Sequence, residues 1–419
     1  MNTGKLSYRG VLKTLGPGIL YAGAAIGASH LVQSTRAGAS YGFEIVWAVI
    51  LINLFKYPFF EFGYRYTAAT GKTMLEGYRE LGQWAIRTYF ILIFFTAIVN
   101  FTAVLIVSTG LAAFFFHIKL SIFLMSLILL GIILLMLLIG HYALLDGSMK
   151  VIIIVLSIST IIAFIISVNH GIHIDPGFVQ PDLWDATGIA FLIALMGWMP
   201  TPIEASVWPS LWAIEREKQT HYKPNYKELL FDFHVGYVGS AIMALFFFGL
   251  GALVLYGKGI EFSSSSIKFS EQLVSVYGET FGNWSVPVIT MIALLTMFST
   301  TLTVIDAYPR TLGGSMKLIS DSVKENSNKL YWIWVLFLSA ASMIIIGLFT
   351  SSMRNLLDFA TVISFLAAPF FAYINFKVVK SDFLPKEYHP QKWMNILSWA
   401  GLIFLIGFSV IYIISRIVL

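Results

Sequence analysis

Residues 16–35 read GPGILYAGAAIGASHLVQST, and residues 187–213 read TGIAFLIALMGWMPTPIEASVWPSLWA. Each stretch is apolar and long enough to cross a membrane, yet each is interrupted in the middle, at residues 27–30 and 197–204. Glycine, proline and polar residues release backbone groups that lipid cannot satisfy, so such interruptions survive only where they face protein or a water-filled cavity. Paired interruptions in corresponding halves of a membrane protein are typical of a transporter's binding site.

The composition indicates an all-α integral membrane protein. The chain has 419 residues, of which 58% are hydrophobic and 12% charged, whereas soluble domains carry about 25% charged residues. This length accommodates about eleven spans of roughly 20 residues, with no separate soluble domain. The predicted spans are residues 16–35, 45–66, 88–116, 119–142, 148–168, 187–213, 230–257, 283–304, 331–350, 355–377 and 394–416.

The two interrupted spans divide the chain into halves. We expect a first inverted repeat in residues 1–168 (spans 1–5) and a second in residues 187–377 (spans 6–10). Each half would then begin with its broken helix, which is the layout expected of an inverted repeat. Residues 394–416 add an eleventh span, and the whole chain forms one membrane domain, which we expect to be a monomer.

The charge distribution predicts the orientation. Most of the 27 Lys and Arg residues fall in loops on one side of the predicted spans, and that side faces the cytoplasm. The sequence therefore predicts a multi-pass protein of the cell membrane with its N-terminus cytoplasmic and its C-terminus outside. The distribution of the charges reports the orientation, and the net charge of +5 does not indicate nucleic-acid binding.

Motifs for enzymatic chemistry are missing from the sequence. It contains no phosphate-binding glycine loop, no His-Glu-x-x-His and no G-x-S-x-G elbow. With no cysteine there is also no thiolate metal site and no disulfide framework. We therefore expect no enzyme activity and no cofactor; the partners would be the lipid bilayer and a small-molecule solute. A channel and a non-transporting membrane sensor remain the competing classes.

Several short motifs resemble those of Nramp-type transporters. The motifs that carry the resemblance, in chain order, are Gly16-Pro17-Gly18, Arg36-Ala37-Gly38-Ala39, Tyr41-Gly42, Ala69-Thr70-Gly71-Lys72, Leu75-Glu76 and Met199-Pro200. The resemblance runs over most of the chain and implies a LeuT-like fold. It also implies transport of manganese or iron together with protons, as in typical members of that family.

The chain departs from the family pattern at the metal site. Where the family has Asp-Pro-Gly-Asn in the first break, this sequence has Gly27, Ala28, Ser29 and His30. The family's methionine in the sixth span corresponds to Met199. Its two following histidines, its tenth-span glutamine and its acidic proton-pathway residues fall on Thr201, Ser206, Thr361, Phe101 and Val104.

The missing aspartate favours a different substrate. A dehydrated divalent cation at mid-membrane needs negative charge close by, whereas the breaks offer neutral hydrogen-bonding groups and a tryptophan face. Glycine in place of aspartate would also make room for a larger molecule. The main prediction is a small neutral polar organic solute such as the sugar glucose. The alternative is a divalent metal cation, manganese- or iron-like, with possible proton coupling and with Met199 and His30 as ligands.

The predicted substrate-binding residues lie in and near the breaks. They are Gly27, Ser29, His30, Gln33, Trp198, Met199, Thr201, Glu204 and Thr361. Candidates for coupling or gating are His30, Glu204, Asp306 and Arg310. Each has a structural alternative: a hydrogen bond that closes the break for His30, packing for Trp198, an ion pair for Glu204, and an i,i+4 pair for Asp306 and Arg310.

Other ionisable residues are predicted to be structural. Glu61 and Arg65 are four residues apart in the second span and can pair on one helix face. Lys56 is expected to satisfy a carboxylate or backbone carbonyls of another helix. Asp232 and His234 begin the seventh span and are expected at the membrane interface.

Overall fold

The computed structural model of the protein describes residues 7–139, 142–320, 327–348 and 353–418. These residues form helices and connecting loops without any β-strand, which confirms the predicted all-α class. The α-helices are α1 (Tyr8–Thr14), α2 (Pro17–Ala25), α3 (Thr35–Tyr41), α4 (Val46–Thr70), α5 (Met74–Leu81), α6 (Gln83–Phe115), α7 (Ile122–Ile139), α8 (Tyr142–His170), α9 (Ala186–Trp198), α10 (Trp208–Thr220), α11 (Tyr226–Val254), α12 (Ser266–Phe281), α13 (Ser285–Ile319), α14 (Ser327–Leu348), α15 (Met353–Val379) and α16 (Lys392–Val418).

Most predicted spans are long apolar helices. Within the described ranges, nine helices are long and apolar enough to cross a membrane when α9 and α10 are taken together. The pair formed by Tyr8–Thr14 and Pro17–Tyr41, bent by 48°, makes ten. The predicted span 148–168 falls within α8, whose apolar part, Ile153–Asn169, is shorter. The structure thus shows a multi-pass membrane protein.

The helices extend beyond the predicted spans. The predicted span 283–304 lies within α13, which has 35 residues and is therefore roughly 52 Å long at 1.5 Å per residue. A hydrocarbon core is only about 30 Å thick. The hydropathy of the sequence identifies only the most apolar segment of α13. The helix continues beyond this segment through Tyr308 and Pro309, which are buried within the protein.

Burial separates a central group of helices from a peripheral one. In their most apolar windows, α9–α10 and α13 are 72% buried, whereas α7 and α16 are only 28% buried. The peripheral helices turn large aliphatic side chains such as Leu135 and Ile403 outward, as lipid-facing helices do. The broken helices therefore lie inside the bundle.

The first break is short and is followed by a π-helical segment. Helix α2 ends at Ala25, Ile26 and Gly27 leave the helical conformation, and Ala28–Ser34 form the π-helix that leads into α3. Gly27 approaches α13 so closely that a Cβ atom would lie 2.3 Å from Oγ1 of Thr300. Glycine is required here because of this close approach.

The second break separates α9 from a 3₁₀ segment, Ile203–Val207, that precedes α10. Residues 199–202 are non-helical, and the Met199–Pro200 peptide bond is cis. Pro200 and Pro202 have no backbone N–H group, so an α-helix cannot continue through them. The predicted breaks in the first and sixth helices are therefore present.

The inner start of the first helix is held by Asp232 of α11. Its carboxylate accepts hydrogen bonds from the backbone N–H groups of Gly16 at 3.0 Å and Gly18 at 2.7 Å. Asp232 is fully buried in protein contacts, and its predicted position at the membrane interface stays a prediction. It is buried here because the first N–H groups of a helix lack intrahelical partners, and a carboxylate satisfies them.

The predicted pair in the second span is present. Arg65 Nη2 lies 2.8 Å from Glu61 Oε1, and Tyr226 of α11 also donates to Glu61. Glu61 Oε2 accepts from Arg65 Nε within α4, and Glu61 Oε1 accepts both from Arg65 Nη2 and from Tyr226, which links α4 to α11. This network is structural, as expected from the spacing.

Candidate functional site

A small cavity of about 40 Å³ lies between the two breaks. Its lining comes from α2, the π-helical segment, α6, α9, the second break, α10 and α13. The polar or aromatic side chains that line it are Ser29, Asn100, Trp198, Thr201, Trp208, Thr300 and Tyr308. Of the predicted binding residues, Ser29, Trp198 and Thr201 therefore line this space. Gly27, His30, Gln33, Met199, Glu204 and Thr361 do not.

Ser29 connects the two breaks directly. Its hydroxyl lies 2.5 Å from the carbonyl oxygen of Ala25 in its own helix and 2.9 Å from that of Pro200 in the sixth-helix break. Both carbonyls belong to backbone that has left the regular helix pattern. The hydroxyl thus helps to satisfy the groups released by the interruptions, as burial in a membrane requires.

His30 faces α11, away from the cavity. Its Nε2 atom lies 2.8 Å from the carbonyl oxygen of Ser240, and its Nδ1 atom lies 2.8 Å from Oγ of Ser29. A carbonyl can only accept, so Nε2 carries the hydrogen, and Nδ1 of the neutral ring is left as an acceptor. Nδ1 shares the single hydroxyl hydrogen of Ser29 with the carbonyl oxygens of Ala25 and Pro200. Both ring nitrogens are engaged, and this geometry corresponds to the structural alternative for His30. A ligand role would require one of these bonds to break.

Thr300 fills the space next to Gly27. The three atoms nearest to a Cβ at position 27 are Oγ1, Cβ and Cγ2 of Thr300, at 2.3, 2.8 and 2.9 Å. The glycine therefore does not enlarge the site, contrary to the expectation from the sequence. The reason is that α13 supplies a branched side chain in the volume that an acidic side chain would need.

Glu204 lies behind the cavity wall, fully buried. Its Oε1 atom accepts from Asn100 Nδ2 at 3.0 Å and lies 3.5 Å from the Tyr308 hydroxyl. Its Oε2 atom has no hydrogen-bond partner among the described residues. Asn100 and Tyr308, which both contact the carboxylate, also line the cavity.

Asn100 of α6 is the centre of this network. Its Nδ2 atom donates to Glu204 and also lies 2.8 Å from the Tyr308 hydroxyl and 3.0 Å from Ser364 Oγ. Its Oδ1 atom accepts from the indole Nε1 of Trp198 at 3.1 Å. Our sequence analysis missed this residue. The available signal was a single amide in the apolar run Val99-Asn100-Phe101, since polar residues within a span are functional candidates.

Met199 and Thr361 are buried in protein contacts. Met199 is fully buried and does not line the cavity. The Thr361 hydroxyl points back to the carbonyls of Leu357 and Asp358 in its own helix, at 3.0 and 2.8 Å. Neither side chain is directed at the space between the breaks, and their binding roles stay predictions.

Gln33 belongs to a second cluster of polar residues, outside the lining of the small cavity. Arg36 donates to Oε1 of Gln33 at 3.0 Å and forms a two-point ion pair with Asp358 of α15, at 2.7 and 3.3 Å. Arg36 and Asp358 line a large vestibule of about 810 Å³, whereas Ser29 lines the small cavity. The ion pair is therefore part of the vestibule wall and not of the small cavity.

Asp306 and Arg310 form the predicted i,i+4 pair. Arg310 Nε lies 2.7 Å from Asp306 Oδ2, and Tyr331 of α14 donates to Oδ1 at 2.9 Å. The guanidinium also stacks over the Tyr331 ring, 4.9 Å from its centre. These contacts tie α13 to α14, and a gating role stays a prediction.

Clustered metal ligands are not found in the part of the chain that the structure describes: no group of three or more His, Asp or Glu side chains is positioned to hold an ion. Any cation at the breaks would therefore meet hydroxyls, amides, backbone carbonyls and one nearby carboxylate. These are oxygen donors, which suit hard divalent cations such as manganese or magnesium.

Comparison with known proteins gives consistent matches over the full length. Residues 18–415 match a family model described as natural resistance-associated macrophage protein-like. An uncharacterized protein of Pasteurella multocida (strain Pm70) is 38% identical over 412 residues, covering 98% of this chain and 94% of the relative.

Solved structures share the fold at low sequence identity. A mutant of the Eremococcus coleocola manganese transporter superposes with a TM-score of 0.73 at 12% identity, covering 97% of this chain and 86% of that chain. MhsT in complex with L-phenylalanine superposes with a TM-score of 0.66 at 10% identity, covering 98% and 100%. The LeuT-like fold implied by the resemblance to Nramp-type transporters is confirmed.

Proposed function

This chain belongs to the natural resistance-associated macrophage protein (Nramp) family, and from that membership we propose that it transports a divalent metal cation. It is a multi-pass membrane protein of a secondary-transporter family. The structurally similar Eremococcus protein is a manganese transporter. The sugar predicted from the sequence finds no support in these comparisons, and the metal alternative is the better-supported interpretation.

The size of the cavity carries the proposal. At about 40 Å³, the space between the breaks is far smaller than the roughly 300–1,000 Å³ of pockets for drug-sized organic ligands. It has room for an ion or a few waters. A sugar would require the helices to move apart, and the volume expected from glycine at position 27 is occupied by Thr300.

Charge and donor chemistry favour a hard divalent cation. The cavity is lined by oxygen donors of Ser29, Thr201 and Tyr308, and the buried Glu204 carboxylate lies directly behind Asn100. A carboxylate in a low-dielectric site supplies the negative charge that a dehydrated cation needs. The thioether of Met199 lies outside the lining, which speaks against a soft metal.

The proposal includes the arrangement of the chain in the membrane. Residues 1–168 and 187–377 form two inverted repeats that rock about the breaks, and 394–416 adds a span. The protein is a monomer in the cell membrane, with the N-terminus in the cytoplasm and the C-terminus outside.

The test is metal flux into liposomes. We expect the purified protein to mediate saturable manganese uptake, detected by a metal-sensitive dye inside the vesicles. The variant Glu204→Gln keeps the hydrogen-bond acceptor but loses the charge, so its uptake falls by about tenfold or more if the carboxylate contributes 1.4 kcal/mol or more to binding. The matched control is Glu215→Gln, an exposed carboxylate of the same broken helix.

Other outcomes separate the competing classes. Saturable uptake of radiolabelled glucose without any metal flux would restore the sugar hypothesis and overturn this one. Ionic conductance without saturation would indicate a channel. Metal binding without flux would indicate a sensor. Equal loss in Glu204→Gln and Glu215→Gln would remove the assigned role of Glu204.

A further inference from the structure

Lys56 lies in the middle of α4 and is fully buried. Its ammonium group contacts the sixth-helix break at three points: Nζ donates to the carbonyl oxygens of Met196 at 2.8 Å, Gly197 at 2.9 Å and Thr201 at 3.1 Å. Met196 and Gly197 belong to the last turn of α9, whereas Thr201 lies in the non-helical stretch beyond it. One side chain therefore holds both sides of the break.

The three acceptors match the ammonium form of the lysine. An ammonium group has three N–H donors and no acceptor, and each donor here meets one carbonyl oxygen. The carbonyls at the C-terminal end of a helix carry partial negative charge, which stabilises a cation. Such carbonyl ends, together with unwound backbone, are the groups that coordinate free cations in transporters with broken helices.

We propose that the carbonyls of Met196, Gly197 and Thr201 form a monovalent-cation site that the chain fills with its own Lys56 ammonium group. The tethered cation holds the broken sixth helix together without any ion from solution. Sodium or potassium is therefore not required to form the substrate site. This inference concerns the backbone cradle and does not depend on which substrate is transported.

The tethered charge also affects Glu204. The two groups interact electrostatically across the break, and they form no direct hydrogen bond. Lys56 thus lowers the free energy of burying an ionised Glu204 without occupying its oxygens, since an opposite charge in a low-dielectric region is felt beyond contact distance. Lys56 acts as a positioning residue for the break and for the nearby carboxylate.

Two substitutions separate a cation site from simple packing. Lys56→Ala removes the charge and leaves space next to the three carbonyls, into which a small cation can enter. Lys56→Met also removes the charge but keeps an apolar side chain of similar length, so the space stays filled. Thermal unfolding of the purified proteins is measured in series of ammonium, methylammonium, sodium and potassium chloride, with choline chloride as the ionic-strength control.

We expect both variants to melt several degrees below the wild-type protein in choline chloride, because three buried carbonyls lose their donor. At least one of the small cations should raise the melting temperature of Lys56→Ala with the logarithm of its concentration, as binding to the folded state requires. Lys56→Met and the wild-type protein should not respond. Lys377→Ala, at an exposed lysine of α15, is the matched control.

Three results would overturn the proposal. One is a Lys56→Met protein as stable as wild type, since the charge would then be unnecessary. Another is a Lys56→Ala protein that no small cation stabilises beyond choline. The third is failure of both variants to fold when every extraction step contains each of the cations. A failure of metal transport leaves this readout unchanged, so the two proposals are tested separately.

Discussion

Gly27 shows that a small residue does not by itself indicate free space around it. The sequence places glycine where the related family has a metal-binding aspartate, and a smaller side chain suggests a larger site. The structure shows Thr300 of α13 in that volume, from a helix more than 270 positions away in the chain. The sequence shows that position 27 has no side chain. It does not show that Thr300, from a distant helix, fills the space, because nothing near Gly27 in the sequence indicates this contact.

Restoring the acidic residue should therefore fail. In Gly27→Asp the Cβ atom would lie 2.3 Å from Thr300 Oγ1, and overpacking of this kind costs about 1–3 kcal/mol. We expect a lower melting temperature and no tighter manganese binding, measured by thermal unfolding and isothermal titration calorimetry. Gly27→Ala should destabilise the protein in the same way.

The control for this pair is Gly239→Ala, because an added Cβ atom there meets no atom within 4 Å. It should leave stability unchanged or raise it slightly, since alanine favours helix. Tight manganese binding by Gly27→Asp, at wild-type stability, would show that Thr300 moves aside readily and that the steric argument is wrong.

Asn100 and Lys56 illustrate two kinds of buried polar residue. Both are visible in the sequence as polar residues within apolar spans, and Lys56 was expected to meet a carboxylate or backbone carbonyls. That prediction is confirmed by its three carbonyl contacts. Asn100 is not among the predicted site residues, because the resemblance places the family's acidic proton-pathway positions at Phe101 and Val104 instead. The role of Asn100 depends on its contacts with the Glu204 carboxylate and the Trp198 indole. These partners lie far away in the chain, so the sequence around Asn100 does not indicate the role.

The helix breaks themselves were predictable. Pro200 and Pro202 exclude a regular helix, and the glycine-rich stretch around Gly27 weakens one. The bridges across the breaks were not predictable, because Ser29 meets Pro200 from a position 171 residues away. Local sequence therefore indicates where a helix is interrupted, and tertiary contacts decide how the released backbone groups are satisfied.

We expect the ion pair between Arg36 and Asp358 to limit access from the large vestibule to the small cavity. Asp358→Asn removes the charge of the pair with Arg36, of which the carboxylate side is one-third exposed. A partly exposed pair contributes about 0.5–1 kcal/mol, so we expect the opening rate to rise about twofold to fivefold. The measurement is the rate at which a thiol reagent added from the outer side modifies Val104→Cys, a cavity-lining position.

The chain provides its own background control for this experiment, because it contains no native cysteine. Asp182→Asn, in the exposed loop before α9, is the matched carboxylate and should not alter the labelling rate. Unchanged labelling in Asp358→Asn would show that other contacts close the passage.

The fold class could be predicted from the hydropathy of the sequence and from the paired breaks. What hydropathy could not locate are the helix ends, since α13 continues well past the apolar stretch into the protein interior. The burial of Asp232 was equally hidden, because its partners are backbone N–H groups at the start of the first helix, 214 and 216 residues away. Long-range capping leaves no pattern in the sequence around the capping residue.

The predicted orientation leads to a direct labelling test in whole cells. Val179, highly exposed in the loop between α8 and α9, should lie outside, and Lys218 near the end of α10 should lie inside. We expect Val179→Cys to react with a membrane-impermeant thiol reagent in intact cells, and Lys218→Cys to react only after permeabilisation. The opposite pattern would mean that the positive side faces outward, against the usual charge rule.

The volume of the cavity sets how much water can accompany an ion that enters it. At about 40 Å³, and with roughly 10–15 Å³ for each water, the cavity holds about three or four water molecules. A divalent ion must therefore release much of its hydration shell before it is enclosed. Because magnesium gives up water reluctantly, dehydration itself acts as a selectivity filter. It would favour manganese over the more abundant ion of equal charge before any protein ligand distinguishes them.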